Sequence, residues 1–126
     1  MVVLPGGRIG TENLATSDFV KEKCVEFGKD KIVAAVCAAP TILASLRLMK
    51  KATVHPDFAE KMGMVEVLDE PVVVDANTIT GQGLGATIPF ALELVKKLVS
   101  IEKAEDIRKA ICYPYTREPK IFTEPK

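Results

Sequence analysis

Cys37 is the residue in this sequence best placed to do chemistry. The run Lys31-Ile32-Val33-Ala34-Ala35-Val36 leads into it, and a helical pattern starts directly behind. Ala34, Ala35 and Val36 read as the end of a buried parallel strand, which is apolar on both faces. Pro40 suits a first helical turn, where its missing N–H would have had no partner. Ile42, Leu43, Leu46 and Met49 then recur at helical spacing. The chain must therefore turn sharply at Cys37, with small Ala35 and Ala39 on either side. That is the layout of a nucleophile elbow, which presents a Ser or Cys at the top of an α/β sheet. A thiol there faces the positive end of a helix dipole, and the thiolate, its nucleophilic form, is favoured. Against this stands the ordinary role of free cysteine as a small buried hydrophobe. Cys24, on an apolar helix face, and Cys112, near the chain end, have no activating context and read as structural.

Few other residues compete for a site. His55 is the single histidine, and a lone histidine is more often a satisfied polar residue than a catalyst. Gly6 and Gly7 follow a short strand pattern. They could serve only the turn, or they could let backbone N–H groups point at a developing oxyanion, an effect of about 3–4 kcal/mol per donor. Gly81-Gln82-Gly83-Leu84-Gly85 has the spacing GxGxG rather than GxGxxG, and no acidic residue ends a following strand. This argues against a dinucleotide and for tight packing at the cysteine pocket, with Gly83 and Leu84 there. Asp57, Glu60, Asp69 and Glu70 lie in polar stretches and read as solvated. Nothing pairs them at a metal-ligand spacing, so neither a metal nor a cofactor is expected.

The elements that position these residues alternate between the two periods. Val2 to Leu4 is a buried-strand pattern closed by Pro5-Gly6-Gly7. Asn13 or Ser17 can cap a helix running through Lys21, Val25 and Phe27, with Gly28 at its C-cap. The elbow strand and its helix fill Lys31 to about Lys50. Met64 to Leu68 and Val72 to Val74 read as strands joined by a hairpin turn at Asp69-Glu70-Pro71, and a turn at Asp75-Ala76-Asn77 leads to Thr78 to Thr80, another strand. An apolar stripe from Ile88 to Leu98 marks a helix of about fourteen residues, and Ile101 to Ala110 a further short one. Residues 113–126 read as a polar, proline-punctuated, loosely held tail behind a domain of residues 1–112.

Composition narrows the function classes. A chain of 126 residues, 48% of them apolar, makes at most one domain with a real core. Seventeen basic and seventeen acidic residues cancel, which gives no electrostatic case for a nucleic-acid or membrane partner. No apolar run approaches the ~20 residues that span a bilayer, and the N-terminus lacks signal-peptide character. Three cysteines without a CxxC pair suggest neither a disulfide framework nor a zinc site, and a reducing cytoplasm is the expected location.

The motifs Val3-Leu4-Pro5-Gly6-Gly7, Val36-Cys37-Ala38-Ala39-Pro40, Val54-His55-Pro56 and Thr80-Gly81-Gln82-Gly83-Leu84-Gly85-Ala86 resemble, in order and spacing, those of the ThiJ/PfpI superfamily. The similarity is greatest to its parkinsonism-associated deglycase branch. It implies a flavodoxin-like α/β sandwich with a mostly parallel sheet, usually a homodimer. It also implies a reactive Cys37 with His55 beside it, and an oxyanion site of backbone amides near Gly6, Gly7 and Ala38. The implied activity is cysteine-dependent deglycase or glyoxalase chemistry on small reactive carbonyls or glycated proteins. Redox sensing or chaperone action through Cys37 is the alternative. A protease or thiazole-biosynthesis role fits less well, because Ala38 stands where protease-like relatives carry a histidine. The family also places a glutamate on a first strand that would precede Met1. Three clear central strands leave a parallel sheet narrow, and each core side chain left in water forfeits roughly 1.5–3 kcal/mol of a total of about 5–15. Completion by a companion fragment, by a second copy or by an upstream segment is therefore expected.

Overall fold

The computed structural model describes residues 1–115 and 119–123. Its main sheet has five strands in the order β1-β2-β6-β5-β7. These are β1 (Val2–Leu4), β2 (Val33–Val36), β5 (Val72–Asp75), β6 (Thr78–Gly81) and β7 (Lys120–Thr123). β1, β2 and β6 run parallel, whereas β5 is antiparallel to β6 and parallel to β7. The helices are α1 (Arg8–Ala15), α2 (Asp18–Gly28), α3 (Pro40–Ser45), α4 (Thr87–Leu98) and α5 (Ile101–Ala110).

Alternation along β2 explains the layering. Val33 and Ala35 enter a core cluster with Leu4, Cys24, Leu43 and Met62. Ala34 points the other way, into a cluster with Val74, Ile79 and Phe90. Successive strand side chains face opposite sides, so β2 is buried on both and requires cover on both. α2 and α3 cover one face and α4 the other, giving the expected three-layer α/β sandwich with a mostly parallel sheet.

Several local expectations are corrected. The segment before β2 holds two helices rather than one: Asn13 lies inside α1, and Ser17 caps α2 by accepting from the Val20 amide. Gly28 ends α2 without a left-handed cap; a methyl there would sit 3.1 Å from Leu48, so close packing explains the glycine. α3 stops at Ser45, short of Lys50.

The turn expected at Asp75-Ala76-Asn77 is the hairpin that joins β5 to β6, whereas Met64–Leu68 does not pair with Val72–Val74. From the former stretch only β4 (Glu66–Val67) forms, and it pairs in parallel with β3 (Lys51–Ala52) in a separate small sheet. Asp75 accounts for the difference. Its buried carboxylate accepts the Lys50 and Lys51 amides at 2.8 and 2.9 Å, and its carbonyl accepts the Thr78 hydroxyl at 2.7 Å. One side chain thus ties the hairpin to the start of β3. The expected tail also contributes structure, since Lys120–Thr123 pairs with β5 as an edge strand.

Candidate functional site

The sharp turn required at Cys37 is present. Cys37 has φ 65°, a left-handed conformation that non-glycine residues adopt rarely and at the expense of strain. Two backbone bonds hold it there. Its N–H donates to the Gly81 carbonyl at 3.0 Å, and its carbonyl accepts the His55 N–H at 2.9 Å. The side chain is half-buried, whereas Cys24 is buried and Cys112 exposed. Burial raises the Cys24 thiol above its ordinary value, consistent with a structural residue.

Gly6 lies against the cysteine. A methyl group on it would fall 2.6 Å from Cys37 Cβ, 3.0 Å from the Val36 carbonyl oxygen and 3.5 Å from Cys37 Sγ. Gly7, with φ 93°, caps the start of α1. Among the described residues, the amides of Gly6, Gly7 and Ala38 donate no hydrogen bond within the chain. Ala38 is buried in the turn that leads into α3.

His55 reaches the site through its backbone. Thr53 is fully buried, and its amide donates to Thr80 Oγ1 at 3.0 Å, which pins the segment ahead of His55 to β6. The Asp57 amide donates to His55 Nδ1 at 3.2 Å, so the neutral ring carries its proton on Nε2. Gly83 sits beside the ring, its missing Cβ position 3.6 Å from His55 Cδ2. Among the described residues no hydrogen bond joins the Cys37 thiol to His55. The structure thus gathers Gly6, Cys37, His55 and Gly83. Leu84 is 90% exposed at the start of a short 3₁₀ turn, away from close packing.

Three neighbours were not legible as site residues. The carbonyl of Gly81 holds the elbow, and a side chain there would meet Phe90 and Val36 at 3.0 Å. Phe58 packs edge-on to His55 with centroids 6.2 Å apart, and the Arg8 guanidinium lies 5.6 Å from the Phe58 centroid. The i, i+3 spacing of His55 and Phe58 was the available signal; Arg8 left none. Asp57 is exposed, as its polar surroundings suggest, yet its carboxylate lies 3.8 Å from His55 Nδ1. Among the described residues no group of three His, Cys, Asp or Glu side chains could hold a metal ion, and no helix is long and apolar enough to cross a membrane.

Comparison with known proteins agrees with the motifs. Residues 1–97 match the model of the DJ-1/PfpI family. The chain is 39% identical over 121 residues to Protein DJ-1alpha of Drosophila melanogaster, covering 91% of this chain and 55% of that protein. It is 32% identical over 119 residues to the glutathione-independent glyoxalase DJ-1 of Schizosaccharomyces pombe, covering 90% of this chain and 62% of that protein. The crystal structure of Drosophila melanogaster DJ-1beta superposes with a TM-score of 0.86 at 32% identity, over 90% of this chain and 64% of that one. The chain therefore spans less than two thirds of the length of these relatives. The family model alone matches well over half of the sequence: the chain belongs to the DJ-1/PfpI family.

Proposed function

We propose that the chain carries the cysteine half of a glyoxalase-type site acting on small reactive carbonyls or their protein adducts, with Cys37 as nucleophile. The observation that carries this reading is the left-handed Cys37 at the β2–α3 junction, with Gly6 in contact with its side chain. The strain at that residue is held by bonds to Gly81 and His55, as expected where backbone strain serves presentation of a side chain. Support also comes from the similarity to a fission-yeast protein named as a glutathione-independent glyoxalase.

With methylglyoxal, Cys37 Sγ as the thiolate adds to the aldehyde carbon and forms a C–S bond, and the carbonyl electron pair becomes an alkoxide. The unpaired amides of Gly7 and Ala38 receive that alkoxide. Transfer of the aldehyde-derived hydrogen, as a proton, to the neighbouring carbon oxidises one carbon and reduces the other, leaving a lactoyl thioester. Water then cleaves the C–S bond, releasing lactate and the thiol. The sum is methylglyoxal plus water to lactate, with no external oxidant or reductant. His55 positions the substrate. The chain works in the cytoplasm as a homodimer, and the carbonyl or glycated protein is its partner; the steps above call on neither a metal nor a cofactor. Lactate formation by the wild type and by Cys37→Ser tests the reading: loss in the variant supports it, and equal rates remove the cysteine from the mechanism.

A further inference from the structure

A cavity of the described structure lies away from Cys37, between α4, α5 and the start of β5. Its volume is about 320 Å³, and neither Cys37, His55 nor the Gly6–Gly7 turn lines it. That size falls within the range of about 300–1,000 Å³ usual for small-molecule sites. Its walls are largely apolar, from Pro71, Val72, Pro89, Leu92 and Ala104, with Tyr113 at one side.

One polar group in it is out of balance. Glu93, on α4, lines the cavity and is only 3% exposed. Its Oε2 lies 3.4 Å from the Lys96 ammonium, but its Oε1 has no hydrogen-bond partner among the described residues. A buried acceptor left without a donor is destabilising, so native structures keep few of them. The neighbouring cation on α5 cannot turn to it. Arg108 is engaged by Glu105 through Nε and Nη2, and by the Tyr113 carbonyl through Nη1.

We propose that this cavity is a second ligand site, separate from the cysteine, for a small apolar molecule bearing one neutral N–H donor that bonds Glu93 Oε1. The donor is neutral because a cation there would face the Lys96 ammonium across one carboxyl group. The body is apolar because proline, valine, leucine and alanine make up much of the wall, and the other charged side chains that line it, Glu70, Lys96, Glu105 and Arg108, are each paired within the chain. The inference stands whether or not Cys37 is a nucleophile.

Indole and benzofuran test it, since they share a shape and differ in the N–H. Amide NMR titration of the whole chain with each should move the signals of Leu92, Glu93 and Ala104. Indole should bind at least about tenfold more tightly than benzofuran, the range of one hydrogen bond to a charged acceptor. Glu93→Met should abolish that preference while still admitting both. Equal affinities in the wild type would overturn the proposal without any variant. So would binding too weak to detect up to the solubility of indole, or shifts confined to Cys37 and His55.

Discussion

Replacing Gly6 by alanine probes the contact that gives Cys37 its setting. The added methyl would stand 2.6 Å from Cys37 Cβ and 3.0 Å from the Val36 carbonyl oxygen. Carbon atoms in contact prefer about 3.5–4.0 Å, so the methyl intrudes by roughly 1 Å on the first of these. Neither obstacle is the loose end of a side chain. One is Cβ of a residue held at φ 65° by two backbone bonds, and the other is strand backbone. Relief therefore has to move the elbow, and overpacking of this kind is destabilising by about 1–3 kcal/mol. Urea denaturation should show that loss, and lactate formation should drop by about tenfold or more as the thiol is displaced; 1.4 kcal/mol in the barrier suffices for a factor of ten. Gly10→Ala is the control. A methyl there meets nothing within 4 Å, and alanine in α1 should be neutral or stabilising by up to about 1 kcal/mol. A Gly6→Ala protein within about 0.5 kcal/mol of wild type, the range of an inert surface substitution, and with unchanged turnover would refute the reasoning.

Other positions give equally definite outcomes. Burial alone would raise the Asp75 carboxyl, but hydrogen bonds from the Thr123 hydroxyl and the Lys50 and Lys51 amides hold it below its ordinary value. Its stabilisation is therefore full above the unfolded value of about 3.9 and is lost as pH falls through the lower folded value. Asp75→Asn should destabilise by about 1–3 kcal/mol near neutrality, and the gap from wild type in urea midpoint should narrow in acid. Cys24 is fully buried with its thiol raised, so iodoacetamide should label Cys37 and Cys112 in the native protein and Cys24 only in denaturant, read by peptide mass spectrometry. Phe90 fills the space above Gly81 and is nearly fully buried. Phe90→Ala should be destabilising by about 3–5 kcal/mol in a thermal or urea melt.

The elbow and the layering were legible in the sequence because they rest on short-range signals. A run apolar on both faces ending at Cys37, followed by Pro40, admits little besides a buried strand entering a helix. The turn at Asp75-Ala76-Asn77 was legible, but the turn chemistry of Asp69-Glu70-Pro71 suggested a second hairpin that does not form. The competing factor is long-range: the Asp75 carboxylate meets amides about 25 residues earlier, a pairing no local pattern displays. Lys120–Thr123 was hidden for a similar reason. Four exposed residues between prolines read as tail, and only the free edge of β5 makes them a strand. The site's contacts through Gly81, Phe58 and Arg8 depend on how separate elements meet.

The central claim is that one thiol of the three performs the chemistry. Lactate formation from methylglyoxal by the full chain, measured with only Cys37 retained (Cys24→Ala with Cys112→Ser) and with only Cys37 replaced (Cys37→Ser), tests it most directly. The account predicts that the first protein keeps wild-type turnover and the second falls to the rate of free solution. Turnover that survives Cys37→Ser, or that disappears with Cys37 alone retained in a folded protein, would contradict it.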